Sequence, residues 1–179
     1  MGRMNDSAGP AETGGSPMGR YAPAATEEDL VAVELRRLPV LLLLAAREHH
    51  DGLMREFRLL ALHGSIGPTD APARFAQLVG ILGTQYASAR ARRDEEIEAA
   101  IRRGETAIDQ VAPVPPTAAA SLSALQDLMD EADEFCRASL LVTVPRSPLL
   151  SEFSHWYLGQ FADQLAGHPP VPWAGPLHP

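Results

Sequence analysis

Between Thr26 and Gly167 the apolar residues recur mostly at steps of three and four, the spacing of helices that bury one face. Thr26, followed by Glu27, Glu28 and Asp29, has the form of an N-cap with an acidic first turn. It predicts a first helix to about Leu38, with Pro39 kinking or restarting the chain. A second helix is predicted from Pro39 to about His63, stopped by Gly64, with a stripe of Leu42, Ala46, His50, Leu53, Phe57 and Leu60. A third is predicted from near Asp70 to Gly104 through Phe75, Leu78, Val79, Leu82, Tyr86, Ala89, Ile97, Ala100 and Ile101. Its second half, "RARRDEEIEAAIRR", is charged enough to project beyond the body.

The fourth helix is predicted from Thr117 to Leu140, with Leu122, Leu125, Leu128, Met129, Ala132, Phe135, Cys136 and Leu140 on its apolar side. The fifth opens with Ser147 as N-cap and Pro148 at the first helical position, and ends at Gly167. "TAIDQVAPVPP" reads as a loop, and "LVTV" at 141–144 as extended at most. No strand-like alternation of useful length and no internal repeat stands out. The expected fold class is all-α, a helical bundle of about five helices over residues 26–167. Residues 1–25 are expected to form a disordered tail and residues 168–179 a Pro-rich tail, in which Trp173 is free to dock on the body.

Composition adds limits. A chain of 179 residues with 45% hydrophobic content is one domain with a real core, built from Leu, Ala, Val and Met because aromatics are only 6%. The net charge is −8, and all 15 basic residues are arginine. An acidic chain without lysine is a poor neutraliser of phosphates, so no nucleic-acid partner is expected. The apolar run from Val40 to Ala46 is far short of the roughly 20 residues a membrane span needs, so no membrane is expected either. The single cysteine, Cys136, excludes an internal disulfide and a Cys-based zinc site. With no apolar leader in residues 1–25, a cytoplasmic location is expected.

The candidate chemistry sits in three places. "EHHD" places Glu48, His49, His50 and Asp51 on the second helix; His50 lies on the core stripe and His49 at the edge between core and solvent. "DLMDEADEF" puts Asp127, Asp130, Glu131 and Glu134 on one face of the fourth helix, either a solvated face or a docking surface for a basic partner. "EFSH" gives one Glu-x-x-His, Glu152 and His155, beside Trp156. Bundle di-iron sites use that motif twice, and here it occurs once. Candidate metal ligands are Glu48, His49, Glu152 and His155; a ligand or partner would meet Glu48, His49, His50, Asp51, Asp130, Glu134 and Trp156. No Ser-centred hydrolase elbow, P-loop or dinucleotide fingerprint is present, and no cofactor is called for.

"HHDGLMREF" resembles the phosphoacceptor helix of bacterial sensor kinases and Spo-type phosphotransferases, in which an acidic residue follows the accepting histidine, as Asp51 follows His50. No ATP lid or nucleotide box follows, so this resemblance implies a phosphorelay protein at most. Three longer stretches, "LVAVELRRLPVLLLLAAREHHDGLMREFRLLAL", "DEADEFCRASLLVTVPRSP" and "FSHWYLGQFADQLAG", resemble a family of small helical actinobacterial proteins. That family occurs beside anti-sigma kinases, anti-anti-sigma proteins and their phosphatases. The resemblance covers roughly residues 28–173 and implies a regulatory, protein-binding role with no catalytic residue. A Glu-His-x-Asp stretch of that family matches Glu48, His49 and Asp51. The leading expectation is therefore a non-catalytic regulatory interaction module in bacterial stress or developmental signalling, with a protein partner of the sigma-factor regulatory kind. The alternatives are a small-ligand or metal sensor with a site between helices, and a histidine phosphorelay protein. A homodimer is left open by the long third helix.

Overall fold

The computed structural model describes residues 30–63, 73–75, 77–80 and 87–179. The expected tail at 1–25, the Gly64 stop, the start of the third helix near Asp70, and Leu82 and Tyr86 lie outside the described residues. The described residues are mostly helical, as expected, but not purely so, and the all-α expectation is corrected by a two-stranded sheet. Two strands, β1 (Val31–Pro39) and β2 (Ala107–Val114), pair antiparallel from Val31 opposite Val114 to Pro39 opposite Ala107. They occupy the expected first helix and the expected "TAIDQVAPVPP" loop.

The sequence explains both strands once the partner is known. In β1, Val33, Leu35 and Leu38 are fully buried, while Ala32, Arg36 and Arg37 are exposed. The odd step from Leu35 to Leu38 is absorbed by a bulge, where the register slips by one residue. Arg37 sits in that bulge with φ of 55°, a left-handed conformation that costs a non-glycine residue roughly 1–2 kcal/mol. Two contacts hold it there. Its N–H donates to Asp109 Oδ1 at 2.7 Å, and its Nη1 donates to the Trp173 carbonyl at 2.7 Å. In β2 the inward residues are Gln110, Ala112 and Val114, whereas Val111 faces out. A buried glutamine is tolerated because its Nε2 donates to Glu96 Oε2 at 2.9 Å and to the Arg93 carbonyl at 3.3 Å.

Four long helices among the described residues follow the expected order. Helix α1 (Val40–Leu62) leaves β1 directly, and its first N–H donates to the Thr106 carbonyl beside β2. Residues 73–75 and 77–80 are also helical. Helix α2 (Ala87–Arg103) ends at Gly104, whose φ of 70° suits a glycine stop. It does not project as expected, because Ile97 and Ala100 are buried under the sheet. After a short 3₁₀ turn at Pro116–Ala118, α3 spans Ala119–Arg137. Helix α4 (Pro148–Leu165) starts as its sequence requires, with Ser147 Oγ accepting from the Leu150 N–H at 3.2 Å.

The core has two parts. One joins the inner face of the sheet to Ile97 and Ala100 of α2, and to Phe153 and Phe161 of α4. Trp173 closes it, edge-on to both Phe153 and Trp156, while its N–H donates to the Arg36 carbonyl in β1. The Pro-rich segment is therefore docked at Trp173, which is 3% exposed. The other part joins Leu53, Met54 and Phe57 of α1 to Leu128, Met129, Ala132 and Cys136 of α3, with Phe75 between. Leu122 and Tyr157 pack against both parts and weld them. Each fully buried Leu or Phe stabilises the fold by about 1.5–3 kcal/mol. No helix among the described residues is long and apolar enough to cross a membrane.

Candidate functional site

The carboxylates of α3 divide between interior and surface. Asp133 lies on the buried face with Met129, Ala132 and Cys136, and only 3% of its side chain is exposed. Asp130, one turn earlier, is half-exposed, and Glu134 lies outside, paired with Arg137. The chain that leaves α3 turns at Ser139, φ 57°, and returns to the helix at Arg146, immediately before the Ser147 cap. Arg146 is buried between the two aspartates. Its N–H and Nε donate to Oδ1 and Oδ2 of Asp133, each at 2.9 Å, and Nη2 donates to Asp130 Oδ1 at 2.7 Å. From α4, His155 Nε2 lies 2.9 Å from Asp130 Oδ2.

Helix α1 meets this array at His49. His49, expected at the edge between core and solvent, is a half-buried residue whose side chain is 8% exposed, and its Nε2 lies 3.9 Å from Asp133 Oδ1. That separation is too long for a hydrogen bond. Burial lowers the His49 pKa from the ordinary histidine value, against the pull of the Asp133 charge, and Arg146 lowers it further. The ring is therefore neutral near pH 7. His50, expected on the core stripe, is half-buried with its ring tilted against Phe75 at 5.4 Å. Burial works against the charge on Asp130, but hydrogen bonds from His155 and Arg146 outweigh it and hold that carboxyl below the usual range.

Among the described residues no group of three or more His, Cys, Asp or Glu side chains could hold a metal ion. The four expected ligands do not converge: His49 faces Asp133, His155 faces Asp130, and Glu48 and Glu152 are exposed. Asp51 is exposed as well. Trp156 belongs to the aromatic core, its Nε1 donating to the Val171 carbonyl at 2.9 Å. A cavity of about 600 Å³ opens elsewhere, beside β2, where Arg103 pairs with Glu105 at 2.6 Å and Arg37 is held by Asp109 and Trp173. It shares no residue with the Arg146 array.

What the array does is fix the 138–147 segment. Asp133 and Asp130 grip its end through Arg146, and Glu56 of α1 grips its middle, accepting from the N–H groups of Val142 and Thr143 and from Thr143 Oγ1. Gly52 permits the close approach, since a Cβ there would lie 3.3 Å from Thr143 Oγ1. Inward residues alternate with outward ones. Leu141 packs on the core and Thr143 on Glu56, while Leu140, Val142 and Val144 are 62%, 92% and 73% exposed. Arg146 and Glu56 do not stand out in the sequence, and Asp133 is one of five carboxylates in "DLMDEADEF". Leu140, expected on the apolar stripe of the fourth helix, is exposed instead, because α3 ends at Arg137 and the chain turns at Ser139. The available signal was an apolar run, "LLVTV", stranded between a helix end and the Ser147–Pro148 start, with no periodicity to bury it.

No protein-family model, curated protein or solved structure matches the chain.

Proposed function

We infer that this protein is a non-catalytic regulatory module that works by binding another protein, and that Leu140, Val142 and Val144 are the centre of the contact. One observation carries this reading: three large apolar side chains point into solvent from a segment held at its middle by Glu56 and at its end by Arg146. Exposed apolar groups that are ordered in advance lose little freedom on binding, so more of their burial energy survives as affinity. Burying a valine or leucine contributes about 1.5–3 kcal/mol. The regulatory assignment rests on the resemblance to the small helical actinobacterial proteins that accompany sigma-factor regulators.

The test compares the wild-type chain with Val142→Asp/Val144→Asp as bait in extracts of the native cell. Both positions are exposed, so the variant retains the wild-type circular dichroism and melting curve. A specific protein retained by the wild type and lost from the variant is the expected result. A variant that retains the same protein, or a wild type that retains none, overturns the assignment.

A further inference from the structure

The two-stranded sheet has two outer edges, and they are treated differently. On β1, the N–H and C=O of Glu34 point away from β2 and are both taken by Gln164: Oε1 accepts from the Glu34 N–H and Nε2 donates to its C=O, each at 2.8 Å. Trp173 caps the same edge at the Arg36 carbonyl. This fixes the hydrogen-bonding phase of the ladder. Glu34 is opposite Val111, so the N–H and C=O of Val111 also point away from the partner strand. By the same alternation those of Asp109 point outward, and so does the C=O of Pro113. Neither outward N–H finds an acceptor among the described residues. Pro113 fits this phase, because an outer-edge position is where a strand tolerates a residue with no N–H.

We propose that the β2 edge pairs with the β2 edge of a second copy of this chain, antiparallel about a two-fold axis at Val111, to make a continuous four-stranded sheet. The hydrogen-bonding pattern selects this register. With Val111 opposite the partner's Val111, the two residues exchange N–H···O=C bonds, and the Asp109 N–H meets the carbonyl of the partner's Pro113. Both outward donors of each strand are then used. Sliding the axis to Asp109 would set two carboxylates directly opposite, which disfavours pairing. Sliding it to Pro113 would place two residues without N–H groups face to face. Side chains agree with the register. Val111 is 56% exposed and would pack against the partner's Val111, flanked on the same face by Glu34, whose charge is balanced by Arg36 at 2.8 Å. Natural proteins protect unpaired edges with charge or proline; here Asp109 and Pro113 stand at the flanks, and the centre between them is an exposed valine. This surface is separate from the 140–144 segment, so its failure and the failure of the proposed function are distinguishable.

Analytical ultracentrifugation across a concentration series tests the pairing. The wild type is expected to pass from monomer to dimer, and Val111→Lys, which sets two ammonium groups across the axis, is expected to lose the dimer while retaining its melting temperature. Two cysteine variants test the register. Val111→Cys places two thiols at a Cα separation near 5.5 Å and is expected to give a covalent dimer on mild oxidation. Pro113→Cys places them too far apart and is expected to give none. The native Cys136 is buried and does not compete. A dimer that survives Val111→Lys, or that cross-links through Pro113→Cys and not through Val111→Cys, overturns the proposal. A wild type that is monomeric at every concentration also overturns it and leaves the edge to a strand from another protein.

Discussion

Arg146 holds Asp133 with two parallel bonds of 2.9 Å, one from its backbone N–H and one from its Nε, so one aspartate fixes both the path of the chain and the direction of the side chain. Both groups are almost completely buried. Removing Asp133 leaves Arg146 its Nη2 bond to Asp130 but takes the acceptor from its buried N–H and Nε, at about 3–5 kcal/mol. Asp133→Ala is therefore expected to lower the unfolding free energy by that amount in urea titrations. Replacing both, as in Asp133→Leu/Arg146→Met, is expected to recover part of the stability, since the apolar pair removes the buried charge but leaves the N–H of residue 146 without its acceptor. A double variant as unstable as the single one would refute this account.

His49 gives the fold a pH dependence of definite sign. Its folded-state pKa lies below the ordinary value of 6.5, so the unfolded chain takes up this proton first as the pH falls. Its contribution is present in full above about pH 6.5 and is lost as the pH falls toward the depressed folded value. The urea midpoint of the wild type should drop over that window. His49→Gln should flatten the drop, and equal slopes in the two proteins would show that another group is responsible.

Cys136 is 6% exposed, and its thiol is pushed up by burial and by the charges of Asp133 and Glu56, with Arg137 opposing. A buried, protonated thiol reacts slowly. Labelling with an aromatic disulfide reagent at neutral pH should be slow in the native protein and rapid in urea. Fast labelling without denaturant would mean that α3 opens readily at this point.

Glu56 is the test of how the exposed row is held. Glu56→Ala leaves the N–H groups of Val142 and Thr143 without their acceptor. Hydrogen exchange at these two amides should accelerate by at least tenfold, corresponding to about 1.4 kcal/mol. Retention of the 140–144 partner should weaken with it, although no contact residue has been changed. Unchanged exchange would place the rigidity of the segment elsewhere.

Trp173 should be needed by the whole body. Trp173→Ala removes a buried ring that touches Phe153 and Trp156, and is expected to cost about 3–5 kcal/mol by thermal or urea unfolding.

The helices were legible wherever a local signal marks them. Ser147, Pro148 and Gly167 frame α4 within the chain itself, and the Leu53–Phe57 spacing shows which way α1 faces. The strands were hidden for a physical reason. In β1, the bulge at Arg36 and Arg37 turns a period of two into a spacing that also suits a helix. In β2, a glutamine faces inward because Glu96 satisfies it and a valine faces outward, so polarity and orientation are uncoupled. The site was hidden because Asp133 and Arg146 meet only after α3 reverses at Ser139; from sequence, Asp133 is one carboxylate among several. The aspartate that matters is chosen by tertiary packing, and the helical wheel of "DLMDEADEF" holds no record of Arg146.

The placement of β1 has a consequence for biosynthesis. The strand is made before its ladder partner β2, and the cap on its other edge comes from Gln164, 130 residues after Glu34, with Trp173 later still. On a ribosome that adds about 5–20 residues per second, Val33, Leu35 and Leu38 remain without their enclosure for many seconds. The nascent chain must carry an apolar strand with two open edges until β2 is made, and with one open edge until Gln164 and Trp173 follow. Slow codons downstream of β1, or depletion of chaperones that shield such strands, should therefore reduce the yield of this protein more than that of a helical bundle of equal length.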